Sequence, residues 1–168
     1  LLDIGTQISA SVLTAVGGMT FQTNLKMNLS QLHATLPTPQ VNYSPFTDDY
    51  LLLHLDLNTS VEPTGYFGQV YLEINGTQGV SISMIPGEAI TDLGTTLKAN
   101  AAARLTAHGI TAGNQFTMIG GLTDGHMGYF TTPAQYDLGG YEAAGTLYGR
   151  NTSDFVTTQV GLVQNAAI

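Results

Sequence analysis

Two short stretches hold residues whose types and spacing suit chemistry. In "IPGEAIT" (85–91), Glu88 follows a Pro86-Gly87 turn directly after an apolar run. In "GGLTDGHMGYFTT" (120–132), Asp124, His126 and Tyr129 follow a second apolar run along a glycine-rich path. Taken by themselves, these residues mark where a site would lie, at the carboxyl ends of strands, and fix little of its chemistry. Each also has an ordinary structural use. A carboxylate at a helix start is favoured by the macrodipole at about 0.3–1 kcal/mol. Tyr129, Tyr136, Tyr141 and Tyr148 suit core aromatics whose hydroxyls reach backbone partners. His126 beside glycine suits a surface loop, and His33, His54 and His108 lack paired-histidine metal spacing. No G-x-S-x-G elbow, phosphate-binding loop or dinucleotide fingerprint occurs.

The elements that must position these residues are read from hydrophobic periodicity. Leu2, Ile4, Ile8, Val12, Leu13 and Val16 keep helical spacing up to Gly17-Gly18. From Met19 the pattern alternates. Met19, Phe21, Thr23, Leu25, Met27 and Leu29 share one face, which predicts a half-buried strand with that face inward. Residues 36–49, "LPTPQVNYSPFTDD", read as a surface loop. Strands are predicted over 50–57, 68–75 and 79–85, the last two joined as a hairpin through the Gly76–Gly79 turn. Ile90, Leu93, Leu97, Ala101 and Leu105 make one helical stripe that begins at Glu88 and ends at His108-Gly109. "NQFTMI" (114–119) reads as a buried strand, and a helix follows over 154–167 after a Thr152/Ser153 cap.

Strand, helix and strand in this order make a βαβ unit with parallel strands and a right-handed crossover. The fold class is therefore α/β: a parallel βαβ unit with additional antiparallel strands and helices packed on the sheet, in a single domain spanning 1–168. Ligands in such sheets collect beyond the carboxyl ends of the strands. Glu88 and the 124–129 group leave strands at the same edge, so they are expected to converge.

Twelve acids against four basic residues give a net charge of -8, which repels phosphate backbones and excludes nucleic acid as a partner class. Without cysteine there are no disulfides, thiolate catalysis or cysteine zinc sites. No run of 18 apolar residues is present. Five of nine asparagines, Asn28, Asn42, Asn58, Asn75 and Asn151, begin N-x-[ST] sequons, where roughly two are expected by chance. That excess, with scarce lysine, predicts an exported, glycosylated protein. The chain begins at Leu1 inside an apparent helix, so it is expected to be part of a longer product.

The run "SISMIPGEAIT", the helix ending in His108-Gly109, and "IGGLTDGHMGYFTTPAQYDLGGYEAAGTLYG" together resemble the latter part of the neutral (non-lysosomal) ceramidase catalytic domain. Residues 69 to about 160 carry the likeness. "DIGTQISASVL" and "VGG" resemble, more loosely, the helix preceding a strand in that family. The resemblance implies a zinc amidase that cleaves the N-acyl bond of ceramide or a related lipid amide. Glu88, in the Pro-Gly-Glu turn, and Tyr129, before the Thr-Thr pair, are implied as zinc ligands. The family's two histidine ligands and its serine motif lie in an earlier half, so a companion N-terminal segment or chain would supply them. The nucleophile is then outside this chain, with His126 a possible catalytic group. A different reading of the composition is a non-catalytic extracellular structural or adhesive glycoprotein, self-associating as a filament subunit through an exposed sheet edge.

Overall fold

A computed structural model describes residues 2–40 and 64–168; the strand expected at 50–57, His54, Asn42 and Asn58 lie outside the described residues. Helix α1 (Leu2–Gly17) leads to strand β1 (Leu25–Thr35). Strands β2 (Thr64–Ile74) and β3 (Gln78–Met84) form the expected hairpin. Its turn places Asn75 at φ 54° and Gly76 at φ 70°, the left-handed backbone that asparagine and glycine adopt most readily. A short strand, β4 (Glu88–Ala89), precedes helix α2 (Thr91–Ala107), and β5 (Gln115–Gly120) follows a single 3₁₀ turn. After β6 (Tyr129–Phe130) come two short helices, α3 (Pro133–Leu138) and α4 (Tyr141–Ala144), and a last long one, α5 (Thr152–Ala167).

The main sheet has the order β1-β2-β3-β5, antiparallel except for the parallel β3–β5 pair. The fold is thus mixed α/β with the βαβ unit where the sequence places it. Helices α2 and α5 pack against each other and against one face of this sheet. Their apolar stripes explain why: Leu93, Leu97, Ala101 and Leu105 of α2, and Val156, Val160 and Val163 of α5, are all buried. With Phe67, Ile85 and Phe130 they make the main core. Full burial of each of the leucine, valine, isoleucine and phenylalanine side chains stabilises by about 1.5–3 kcal/mol relative to exposure.

The covered face of the sheet is unusually polar. Lys26 donates to Glu73 across β1–β2 at 2.9 Å, and His108 lies 3.2 Å from the other Glu73 oxygen. Tyr71 donates its hydroxyl to that same oxygen at 3.2 Å. Gln69 donates to Ser81 and accepts from Ser83, and Gln164 of α5 donates to Ser83, so a hydrogen-bonded seam runs between sheet and helix. Buried polar groups are tolerated when paired in this way.

Three expectations fail on the sheet. Met19 and Phe21 precede β1 and are exposed. The apolar β1 face does not point into the core: Leu25, Met27 and Leu29 are more than half exposed, while Asn28 and Ser30 on the opposite face donate to the α5 carbonyls of Ala167 and Val163. Nor is β5 buried, since Phe116 and Met118 are 52% and 56% exposed. The register explains the last two. Met27, Leu72, Val80 and Phe116 line up across the four strands, as do Leu29, Val70, Ile82 and Met118. These rows form an open apolar face, opposite the helices. Helix α1, with Ile4, Ile8, Val12, Leu13 and Val16 exposed, has the same character.

Candidate metal centre

Beyond the end of β3, the chain turns through Pro86-Gly87 and forms β4, which pairs in parallel with β6 so that Glu88 lies opposite Tyr129. Glu88 does not begin a helix as expected. It sits in β4, and α2 starts at Thr91 behind Ile90, so the strand pairing and not the macrodipole fixes its place. Its N–H donates to the Gly128 carbonyl at 2.9 Å, and the Tyr129 N–H donates to Gly145 at 3.0 Å. The β3–β5 end is laced to the same turn: Met127 N–H reaches Pro86, Leu122 N–H reaches Gly87, and Thr123 N–H reaches Ile85.

Two glycines are required by this closeness. A Cβ at Gly87 would lie 2.6 Å from the Phe130 ring and 2.7 Å from the Gly128 carbonyl oxygen, and Phe130 is only 1% exposed. Gly128 adopts φ 71°, and a Cβ there would collide with the Gly145 carbonyl.

Glu88 and Tyr129 line one cleft of about 450 Å³ together with Ile90, Thr131, Gln135 and Glu142. The Tyr129 phenol is pushed up to about 12, first by burial, then by a hydrogen bond with Tyr141 and by the neighbouring Glu88 carboxylate. It therefore stays protonated at neutral pH unless a cation enters, because a bound cation reverses the local electrostatics. Tyr141 packs edge-on against the Tyr129 ring at 5.4 Å. His126 Nε2 lies 3.9 Å from Glu88 Oε1, with its side chain 71% exposed. Asp124 occupies a left-handed turn position at φ 59°. The expected convergence therefore holds: Glu88, Tyr129 and His126, 38 or more positions from Glu88 in the last two cases, share one rim.

The sequence reading missed three polar cleft residues, Gln135, Thr131 and Glu142. Gln135 donates to Asp92 at 2.9 Å, while its own Oε1 is buried without a partner. Thr131 lies 2.9 Å from Thr146, which gives its proton to the Glu142 carbonyl, so Thr131 is the donor of that pair. Glu142 adds a second carboxylate, and Thr132 caps α3 by accepting from the Gln135 N–H. Nothing in periodicity marks these residues, because Gln135 and Glu142 lie on helices of six and four residues and Thr131 lies outside any helix or strand. Tyr136 is half-buried and Tyr148 buried, as core aromatics would be. His108 and His33 stand apart from the site, the first on Glu73 and the second stacked on Tyr66.

As a zinc site this donor set is partial. Zinc takes four ligands in its structural sites, and three protein ligands plus water in catalytic ones. No group of three or more His, Cys, Asp or Glu able to hold a metal occurs among the described residues. A carboxylate and a phenol side by side supply two oxygen positions of such a shell. The last helix also differs from expectation: Asn151, without a side-chain cap bond, precedes α5, and Thr152 and Ser153 are buried within its first turn, with Thr152 donating to Gly149.

Residues 64–158 match the family described as neutral/alkaline non-lysosomal ceramidase, N-terminal. Among solved structures the chain is similar to one titled "Ceramidase complexed with C2", at 14% identity and a TM-score of 0.51, covering 86% of this chain and 30% of that one. It is also similar to the neutral ceramidase from Pseudomonas aeruginosa, at 14% identity and a TM-score of 0.48, covering 86% of this chain and 29% of that one. The first of these likenesses shows a shared fold. The chain spans about three-tenths of the length of these ceramidases.

Proposed function

The chain belongs to the neutral/alkaline non-lysosomal ceramidase family, and from that membership we propose that it is the latter part of a zinc-dependent amidohydrolase cleaving the N-acyl amide of ceramide or a related lipid. The observation that carries the reading is the pairing of Glu88 with Tyr129 at one rim of the sheet, both facing the same cleft. In this reading those two residues are metal ligands. Bound zinc would polarise the amide carbonyl and acidify a bound water. Tyr129 and Glu88 would set its position, Tyr141 would hold the Tyr129 ring, and His126 would stand beside Glu88 to accept or give a proton. The remaining ligands and the nucleophile would come from a companion segment.

The open apolar face of the sheet supports a companion. A four-stranded face of Leu, Met, Val, Ile and Phe is far more apolar than soluble surfaces keep exposed, and a second layer is how such faces are normally buried. Residues 1–168 are read as a single domain in this scheme. Export and glycosylation belong to the same reading: Asn75 sits in an exposed turn and Asn151 at an exposed helix start. The same open face favours one other reading, a non-catalytic glycoprotein that self-associates. Sizing and imaging the native material separates the two, because dispersed particles containing a histidine-bearing companion support the enzyme and filaments of this chain alone support the alternative.

Metal analysis tests the leading reading directly. Zinc bound by the native material is expected to fall sharply in Glu88→Ala and in Tyr129→Phe. Metal content unchanged by both substitutions would remove the assignment.

A further inference from the structure

Helix α1 stands off the rest of the fold. Every residue from Asp3 to Asn24 is exposed, and no described element packs broadly on the helix. Ile4, Ile8, Val12, Leu13 and Val16 follow one another at helical spacing and are each 54–69% exposed. A helix of 16 residues, about 24 Å long at 1.5 Å per residue, thus carries an uncovered apolar stripe. Beyond its end, Met19 and Phe21 extend that surface at 71% and 104% exposure. We infer that α1 and Phe21 dock in the plane of an electrically neutral phospholipid surface, with the stripe sunk to the level of the headgroups.

Two features select a lipid surface over a protein partner. The first is where the polar groups of α1 are spent. Ser11 and Thr14 donate their hydroxyls to the Gln7 and Ala10 carbonyls at 2.9 Å, and Gln7 donates to Asp3 at 3.1 Å. A protein interface carries about one hydrogen bond per 100–200 Å², whereas these side chains are satisfied within the helix and leave hydrocarbon as what the helix presents. The second is charge. Asp3 is the only charged residue before Lys26. Interfacial helices rich in Lys and Arg are drawn to anionic lipid. This one has neither, and a chain of net charge -8 is repelled by such a surface. What remains is burial of an apolar stripe in a neutral interface, as in helices that sense loose lipid packing. No helix among the described residues is long and apolar enough to cross a membrane, so α1 would lie on the surface.

Flotation of the native material, with any companion it carries, on small vesicles of pure phosphatidylcholine tests the inference. The parent is expected to float with the vesicles, and no more strongly when phosphatidylglycerol is added. Val12→Asp, in the middle of the stripe, should weaken binding by about tenfold or more. Thr14→Asp, the same charge on the far side of the helix, should bind as the parent does. Equal melting of the two variants confirms that both are folded. The chain has no tryptophan, so Phe21→Trp adds a reporter whose emission, taken as the difference from the parent, should shift to the blue when vesicles are added. The assignment is overturned by a parent that stays unbound, by tighter binding to the anionic vesicles, by undiminished binding of Val12→Asp or by an equal loss in Thr14→Asp. It is overturned equally by a tryptophan emission already blue without vesicles and unmoved by them, which is what burial beneath a companion would give. These vesicles hold no amide and the measurement needs no metal, so its outcome is independent of the amidase reading.

Discussion

Replacing Gly87 by alanine should loosen the candidate metal centre and destabilise the fold, while leaving every proposed ligand in the sequence. The added methyl would lie 2.6 Å from Phe130 Cζ and 2.7 Å from the Gly128 oxygen, against ordinary contacts of 3.4–4 Å. Phe130 is packed in the core, and the Gly128 oxygen already accepts the Glu88 N–H, so neither neighbour yields freely. The conflict is therefore resolved by moving β4 away from β6, which separates Glu88 from Tyr129. Overpacking of this kind costs about 1–3 kcal/mol. At about 2–4 °C per kcal/mol for a domain of this size, melting should fall by roughly 2–12 °C. Support for a metal ligand that shifts typically costs ~10–100-fold in affinity, so competition with a chelator should show zinc bound that much more weakly. Gly94→Ala is the matched control: in open space within α2, it should raise stability by up to about 1 kcal/mol. A Gly87→Ala protein that melts with the parent and binds zinc equally would refute the claim that β4–β6 closeness builds the site.

The carboxylate of Glu73 is held below the usual range, first by its hydrogen bond from Lys26 and then by that from His108. Its contribution to stability is thus fully present above the ordinary carboxylate value and lost as pH falls through the depressed one. Denaturant midpoints measured from neutral to acid pH should show that loss in the parent and a flatter acid limb in Glu73→Gln, with lower stability at neutral pH; superimposable curves would count against the network. Leu97→Ala should cost about 2–5 kcal/mol, because Leu97 is fully buried between α2 and α5, and a urea titration showing under 1 kcal/mol would mean that this interface is not the core.

Much of the architecture is legible in local pattern. Alternation and the Gly76–Gly79 turn signal mark the β2–β3 hairpin, the i, i+3, i+4 stripe from Ile90 to Leu105 marks α2, and strand-helix-strand order dictates the parallel β3–β5 pair. From that parallel geometry alone, Glu88 and Tyr129 must leave the sheet at one edge. The sequence thus determined the hairpin, α2, the parallel pair and the meeting of those two residues, because each follows from backbone periodicity and from strand-helix-strand order. Only the tertiary structure decided which face of the sheet the helices cover. Alternation divides a strand into two faces but does not say which one meets a helix. Here the polar face does, since Asn28, Ser30, Gln69 and Ser83 find hydrogen-bond partners there. The two-residue pairing of β4 with β6, and the cleft closed by Gln135 and Glu142, were likewise beyond periodicity. Contacts between segments too short to show a repeat are fixed by packing and register, not by the residues on either side.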